Sequence, residues 1–195
     1  GNPYLMHHNI FDSCGRVHRA EFNTNTIEQL MQWYSNTVFD ARSGSSGCAI
    51  LNSSANLLTI HDNLTVTLQS SGGSEGSGYG GKLNVGSGGY TTLDYNGYYA
   101  VNGTYTGMWG IATTTYNSFS AWKTASSGDS HGFSGSDPLF IPGTASIVGG
   151  GGPTQFQYQG GSPCIGTGTG GINIGAWDGT VTQIGCNFPG IYPLP

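Results

Sequence analysis

The sequence predicts an all-β fold, a right-handed parallel β-helix (a solenoid) closed by a C-terminal cap. A segment recurs, its side chains alternate with the period of a strand, and an asparagine stands in register after each copy. Tyr4-Leu5-Met6-His7-His8-Asn9-Ile10-Phe11-Asp12 returns as Met31-Gln32-Trp33-Tyr34-Ser35-Asn36-Thr37-Val38-Phe39, then as Leu58-Thr59-Ile60-His61-Asp62-Asn63-Leu64-Thr65-Val66, and more loosely over Thr91 to Tyr99. Asn9, Asn36, Asn63 and Asn96 lie 27, 27 and 33 residues apart, within the range of repeat architectures whose units bury an apolar face only by stacking.

The columns assign each element. Three residues before each asparagine stand Met6, Trp33, Ile60 and Leu93, and five before stand Tyr4, Met31, Leu58 and Thr91, a period-2 pattern that points these side chains inward. The residues between them are polar or variable, as an outward face is. Asparagine tolerates a left-handed turn and bonds backbone, and its amide reaches the copy one strand away, so the register predicts an asparagine ladder. The leucine frame of the rival leucine-rich repeat is missing.

The intervening segments follow. Residues 41–57 read as a Ser/Gly turn and an apolar strand, Cys48-Ala49-Ile50-Leu51, the second face of one rung. Residues 70–90, dominated by glycine and serine, read as a long loop, because Leu93 and Asn96 resume the repeat in phase. The expected organisation is one domain: rungs over 1–116, then final rungs and cap over 117–195. The opening in mid-rung at Gly1-Asn2-Pro3-Tyr4 predicts further rungs upstream.

Composition bounds the function. Charged residues are 8% and glycine numbers 35, which suits tight turns between short strands better than surface helices. Five Lys+Arg against ten Asp+Glu give a net charge of −5, which argues against nucleic acid or an anionic membrane as partner. No apolar run approaches the roughly 20 residues that span a bilayer.

Cys14, Cys48, Cys164 and Cys186 show neither Cys-x-x-Cys nor zinc spacing, so no metal is expected. Pairing Cys164 with Cys186 staples the C-terminal end and pairing Cys14 with Cys48 ties neighbouring rungs, both implying an oxidising compartment; four reduced thiols are the alternative.

Candidate sites are few. Asp12, Arg16, His18, Arg19 and Glu21, with His7 and His8, form the densest charged group; no paired carboxylates accompany them, and a solvated turn is the expectation. Tyr95, Tyr98, Tyr105 and Tyr116 are the candidate glycan-binding residues, since aromatic rings stack on sugar faces and their polar edges meet hydroxyls. His131 beside Asp129 reads as a loop hydrogen bond and Asp137 as a turn residue before proline.

From residue 117 an ordered series appears: Asn117-Ser118-Phe119-Ser120-Ala121-Trp122-Lys123, Ser127-Gly128-Asp129-Ser130-His131-Gly132, Asp137-Pro138-Leu139-Phe140, Gly161-Ser162-Pro163-Cys164-Ile165-Gly166-Thr167-Gly168 and Ile172-Asn173-Ile174-Gly175-Ala176-Trp177-Asp178-Gly179. In this order the segments resemble the C-terminal end of right-handed parallel β-helix repeat proteins of the pectate-lyase-like superfamily, including those with a choice-of-anchor Q type region. That superfamily spans lyases, hydrolases, phage tailspikes and adhesins, so the resemblance implies the fold and leaves the activity open.

The expected function is a secreted or cell-surface module, non-catalytic by itself and without a cofactor, that presents a face to a glycan or a partner subunit. The alternative is the C-terminal part of a polysaccharide lyase or hydrolase whose groove lies on earlier rungs, with calcium as its cofactor.

Overall fold

The computed structural model describes residues 4–12, 18–20, 30–39, 50–52, 57–68, 83–85, 90–103, 105, 107–147 and 153–177. In chain order the elements are β1 (Tyr4–His7), β2 (Ile10–Asp12), β3 (His18–Ala20), β4 (Leu30–Tyr34), β5 (Thr37–Phe39), β6 (Ile50–Asn52), β7 (Leu57–His61), β8 (Leu64–Thr67), β9 (Leu83–Asn84), β10 (Thr92–Asp94), β11 (Gly97–Ala100), β12 (Trp109–Ile111), β13 (Thr114–Tyr116), α1 (Phe119–Ser126) and β14 (Phe133–Ser134), with three short 3-10 turns after residue 143.

Strands assemble across copies of the repeat. The first sheet has the order β1-β4-β7-β10, the second β14-β11-β8-β5-β2 and the third β13-β12-β9-β6-β3. Pairing is parallel except between β12 and β13. In the first sheet Met6 pairs with Trp33, Trp33 with Ile60 and Ile60 with Leu93. Trp33, Ile60 and Leu93 are buried and Met6, on the edge strand, is partly so.

The all-β solenoid expectation is corrected by the rest of the chain. The whole is a mixed fold: parallel sheets of four and five strands, an α-helix and short strands. The register of the repeat runs on to Asp129 and β14, with α1 inserted before them and non-repeating turns after them. Ser118 caps α1 through a hydrogen bond that its Oγ accepts from Ala121 N (3.2 Å), and Ser127 closes it in the left-handed region (φ 56°).

A connection of two residues links the first sheet to the second. His8, Ser35, Asp62 and Tyr95 occupy its left-handed position, with φ between 51° and 57°. That geometry costs a non-glycine residue about 1 kcal/mol or more, and the asparagine that follows offsets it. Asn36 Oδ1 accepts from Asn9 N and Nδ2, Asn63 Oδ1 from Asn36, and Asn96 Oδ1 from Asn63, each at 3.0–3.1 Å. The next position is a carboxylate. Asp129 Oδ1 accepts from Asn96 Nδ2 (2.7 Å), while its Oδ2 accepts from Tyr98 Oη (2.7 Å) and Trp122 Nε1 (2.9 Å).

Two apolar clusters result. One, between the sheets, contains Trp33, Val38, Ile60, Leu83, Leu93, Tyr98 and Trp109, with Trp122 of α1 joining at the β10 end. The other lies on the opposite side of the second sheet, where Phe39, Leu64 and Val66 meet Phe140, Phe156, Tyr158 and Ile174. Thr37–Phe39 and Leu64–Thr67 are buried at every position, the mark of strands covered on both faces. The final described residues therefore do not form the expected end cap. They run along the flank of the second sheet, where Gly175 N donates to Asp62 O (2.7 Å) and Ala176 N to Thr37 Oγ1 (2.9 Å).

Candidate functional site

With the second sheet covered, the outward side of the first sheet carries the exposed chemistry. Two residues before each ladder asparagine, His7, Tyr34, His61 and Asp94 stand in register on adjacent strands. Parallel strands lie about 4.8 Å apart, so planar side chains in one column are forced face to face. The His7 and Tyr34 rings stack at 4.8 Å and 9°, and Tyr34 and His61 at 5.1 Å and 4°. Beyond Asp94, His131 stacks on Tyr95 at 4.6 Å and 10°. Stacking uses the ring faces, so the row presents ring edges, where the imidazole nitrogens and phenol oxygens sit.

Two of the imidazoles are tied to carboxylates. His61 Nδ1 lies 2.5 Å from Asp62 Oδ2, and His131 Nδ1 lies 2.8 Å from Asp94 Oδ2. The Asp62 side chain is fully buried, and its other oxygen accepts from Thr169 N (2.7 Å). Gly168 is required at that approach, because a Cβ there would stand 2.5 Å from Asp62 Oδ1. Asp94 also accepts from His131 N (2.8 Å), Tyr95 N (2.9 Å) and Ser130 Oγ (3.2 Å). Desolvation alone raises its carboxyl, and the bonds from His131, Tyr95 and Ser130 outweigh that, leaving the pKa below the ordinary value. Burial raises the Tyr34 phenol.

The candidate tyrosines fall in three places. Tyr95 belongs to the row just described. Tyr98 is buried, its hydroxyl committed to Asp129, and burial together with that carboxylate pushes its pKa well up. Tyr105 is half-buried and stacked on Trp109 at 5.6 Å, and Tyr116 packs beside Trp122. They form no common platform. Asp12 ends β2, and His18 and Arg19 lie in β3 with backbones paired to Ile50 and Leu51; Arg16 and Glu21 lie outside the described residues.

Cys164 is a buried free thiol, raised to about 12 chiefly by desolvation, while Cys14, Cys48 and Cys186 lie outside the described residues. Asp137 is the turn residue expected, accepting from Leu139 N (2.8 Å) and from the Thr144 hydroxyl. His131 bonds Asp94 and not its neighbour Asp129, which is buried and whose carboxyl desolvation raises despite its hydrogen bonds. Among the described residues no three His, Cys, Asp or Glu side chains converge to hold a metal ion.

Tyr34, His61, Asp62 and Asp94 were not singled out from sequence. The signal was the column two residues before the asparagines, which reads as a variable outward face until strand pairing stacks its rings. Comparison with protein-family models, curated proteins and solved structures finds no match.

Proposed function

We propose that this chain is a binding module whose first sheet presents the His7, Tyr34, His61, Asp94 and His131 row to a hydroxyl-rich glycan. The observation that carries the reading is the in-register row itself. It repeats a hydrogen-bonding ring edge on β1, β4 and β7 and continues it with Asp94 and His131, and a polymer repeats its hydroxyls along its length. Gln32, Thr59 and Thr92 add a second polar column two residues away. The proposed setting is the cell surface or the extracellular space, where polysaccharides are met; no helix among the described residues is long and apolar enough to cross a membrane. Affinity electrophoresis against a polysaccharide panel tests the reading. Retardation that His131→Ala and Tyr34→Ala both weaken supports it, and retardation indifferent to both moves the site elsewhere.

A second reading, part of a polysaccharide-cleaving enzyme, rests on the Asp94–His131 contact, since a carboxylate that orients an imidazole is a general-base arrangement. Reducing-end or unsaturated-product release that is lost in His131→Ala supports that reading over binding alone.

A further inference from the structure

Each of the two carboxylate-tied imidazoles has a fixed polarity. A carboxylate only accepts, so the proton of a neutral His61 must sit on Nδ1, between it and Asp62, and that of a neutral His131 on Nδ1, between it and Asp94. Their Nε2 atoms are then acceptors, and among the described residues neither has a partner. The Asp94 oxygens beside them are acceptors too. Among the described residues the charged and titratable groups facing these rings are Asp62, Asp94, Tyr34 and Tyr95, and none of these is a cation.

We infer that this face selects neutral polysaccharide, whose hydroxyls supply the donors that fixed acceptors need, and rejects polyuronate; the inference rests on the glycan-binding reading above. A uronate carboxylate brings acceptors to acceptors and finds two aspartates behind the imidazoles. A buried or partly buried acceptor left without a donor loses the bond and keeps its desolvation cost.

The test uses the full chain with matched probes: polygalacturonate and alginate, each beside its carboxyl-reduced neutral form, with neutral glucans and mannans alongside. At pH 7.5 the reduced polymers are expected to bind roughly tenfold or more tighter than the acidic ones, about one hydrogen bond's worth per imidazole. His131→Lys, which puts a donor in place of the acceptor at an exposed position, shifts preference toward the acidic polymers. Long-range proton–nitrogen spectra read the tautomer without any ligand, and the neutral rings of His61 and His131 should carry their proton on Nδ1, with the imine signature on Nε2. Equal or tighter binding of the acidic forms, or neutral rings that carry their proton on Nε2, overturns the inference while the binding face stands. Failure of every polymer to bind removes the face and the inference together.

Discussion

Asp94 joins the row's chemistry to the protein's stability. Its folded pKa lies below the ordinary value because four hydrogen bonds prefer the carboxylate. The unfolded chain therefore holds its proton to higher pH than the folded one. The stability this supplies is complete above the unfolded value of about 3.9 and is lost as pH falls through the lower folded value. Urea unfolding of Asp94→Asn should run below wild type by a constant amount above about pH 5 and converge with it in stronger acid. A gap that widens as pH falls contradicts the assignment.

Gly175 poses a backbone question at the same scale. Its φ is 94°, its N–H donates to Asp62 O, and a Cβ would collide with the Tyr158 hydroxyl and stand 2.8 Å from Thr37 Oγ1. Gly175→Ala meets backbone strain and overlap together, and about 2–4 kcal/mol should be lost, read from the denaturation midpoint. Because Asp62 orients His61, the same variant should weaken ligand binding.

At the scale of elements, the ladder explains what was legible in the sequence. Its asparagines, and the Met6, Trp33, Ile60 and Leu93 column, followed from spacing because parallel pairing keeps one register along a sheet, and a slip of one residue would turn every inward side chain out. The turn role of Asp137 was legible as well. The stacked row was not, since His7, Tyr34, His61 and Asp94 mix three residue types and become one feature only at strand spacing. Asp129 was hidden for a related reason. A carboxylate replaces asparagine there, because Tyr98 and Trp122 bring further donors and no buried acceptor needs its amide. Asn63 makes five side-chain hydrogen bonds, to Asn36 N and Nδ2, Trp33 O, His61 O and Asn96 Oδ1. Asn63→Ala should therefore cost about 3–5 kcal/mol, with several buried groups left unpaired. Asn9→Ala, in the connection between β1 and β2 at the end of the ladder and only half-buried, should cost a fraction of that. Equal losses in chemical denaturation would argue that the ladder is not a cooperative unit.

The whole molecule depends on a layer that the repeat does not encode. The cluster among the sheets holds Trp33, Ile60 and Trp109, while Phe39, Leu64 and Val66 project from the second sheet into a separate cluster completed by Phe140, Phe156, Tyr158, Cys164 and Ile174. The fold-class expectation failed at this point. A short strand such as Leu64-Thr65-Val66-Thr67 looks one-sided in sequence, and it is buried on both faces only because a segment a hundred residues later returns to it, with Thr169 N and Gly175 N both bonding Asp62. A chain ending at Ser136 lacks that layer. It should expose Phe39, Leu64 and Val66 as one contiguous apolar patch, the kind of surface that marks an interaction site or an aggregation liability. It should also leave the Asp62 side chain open to water, removing the support that orients His61. The expected outcome is self-association in sedimentation velocity with strong binding of a hydrophobic dye, while the far-ultraviolet signal of the parallel sheets persists. A monodisperse monomer with an unchanged thermal midpoint would show that the three sheets stand alone, and that residues 137–177 serve only to position Asp62 beside the binding row.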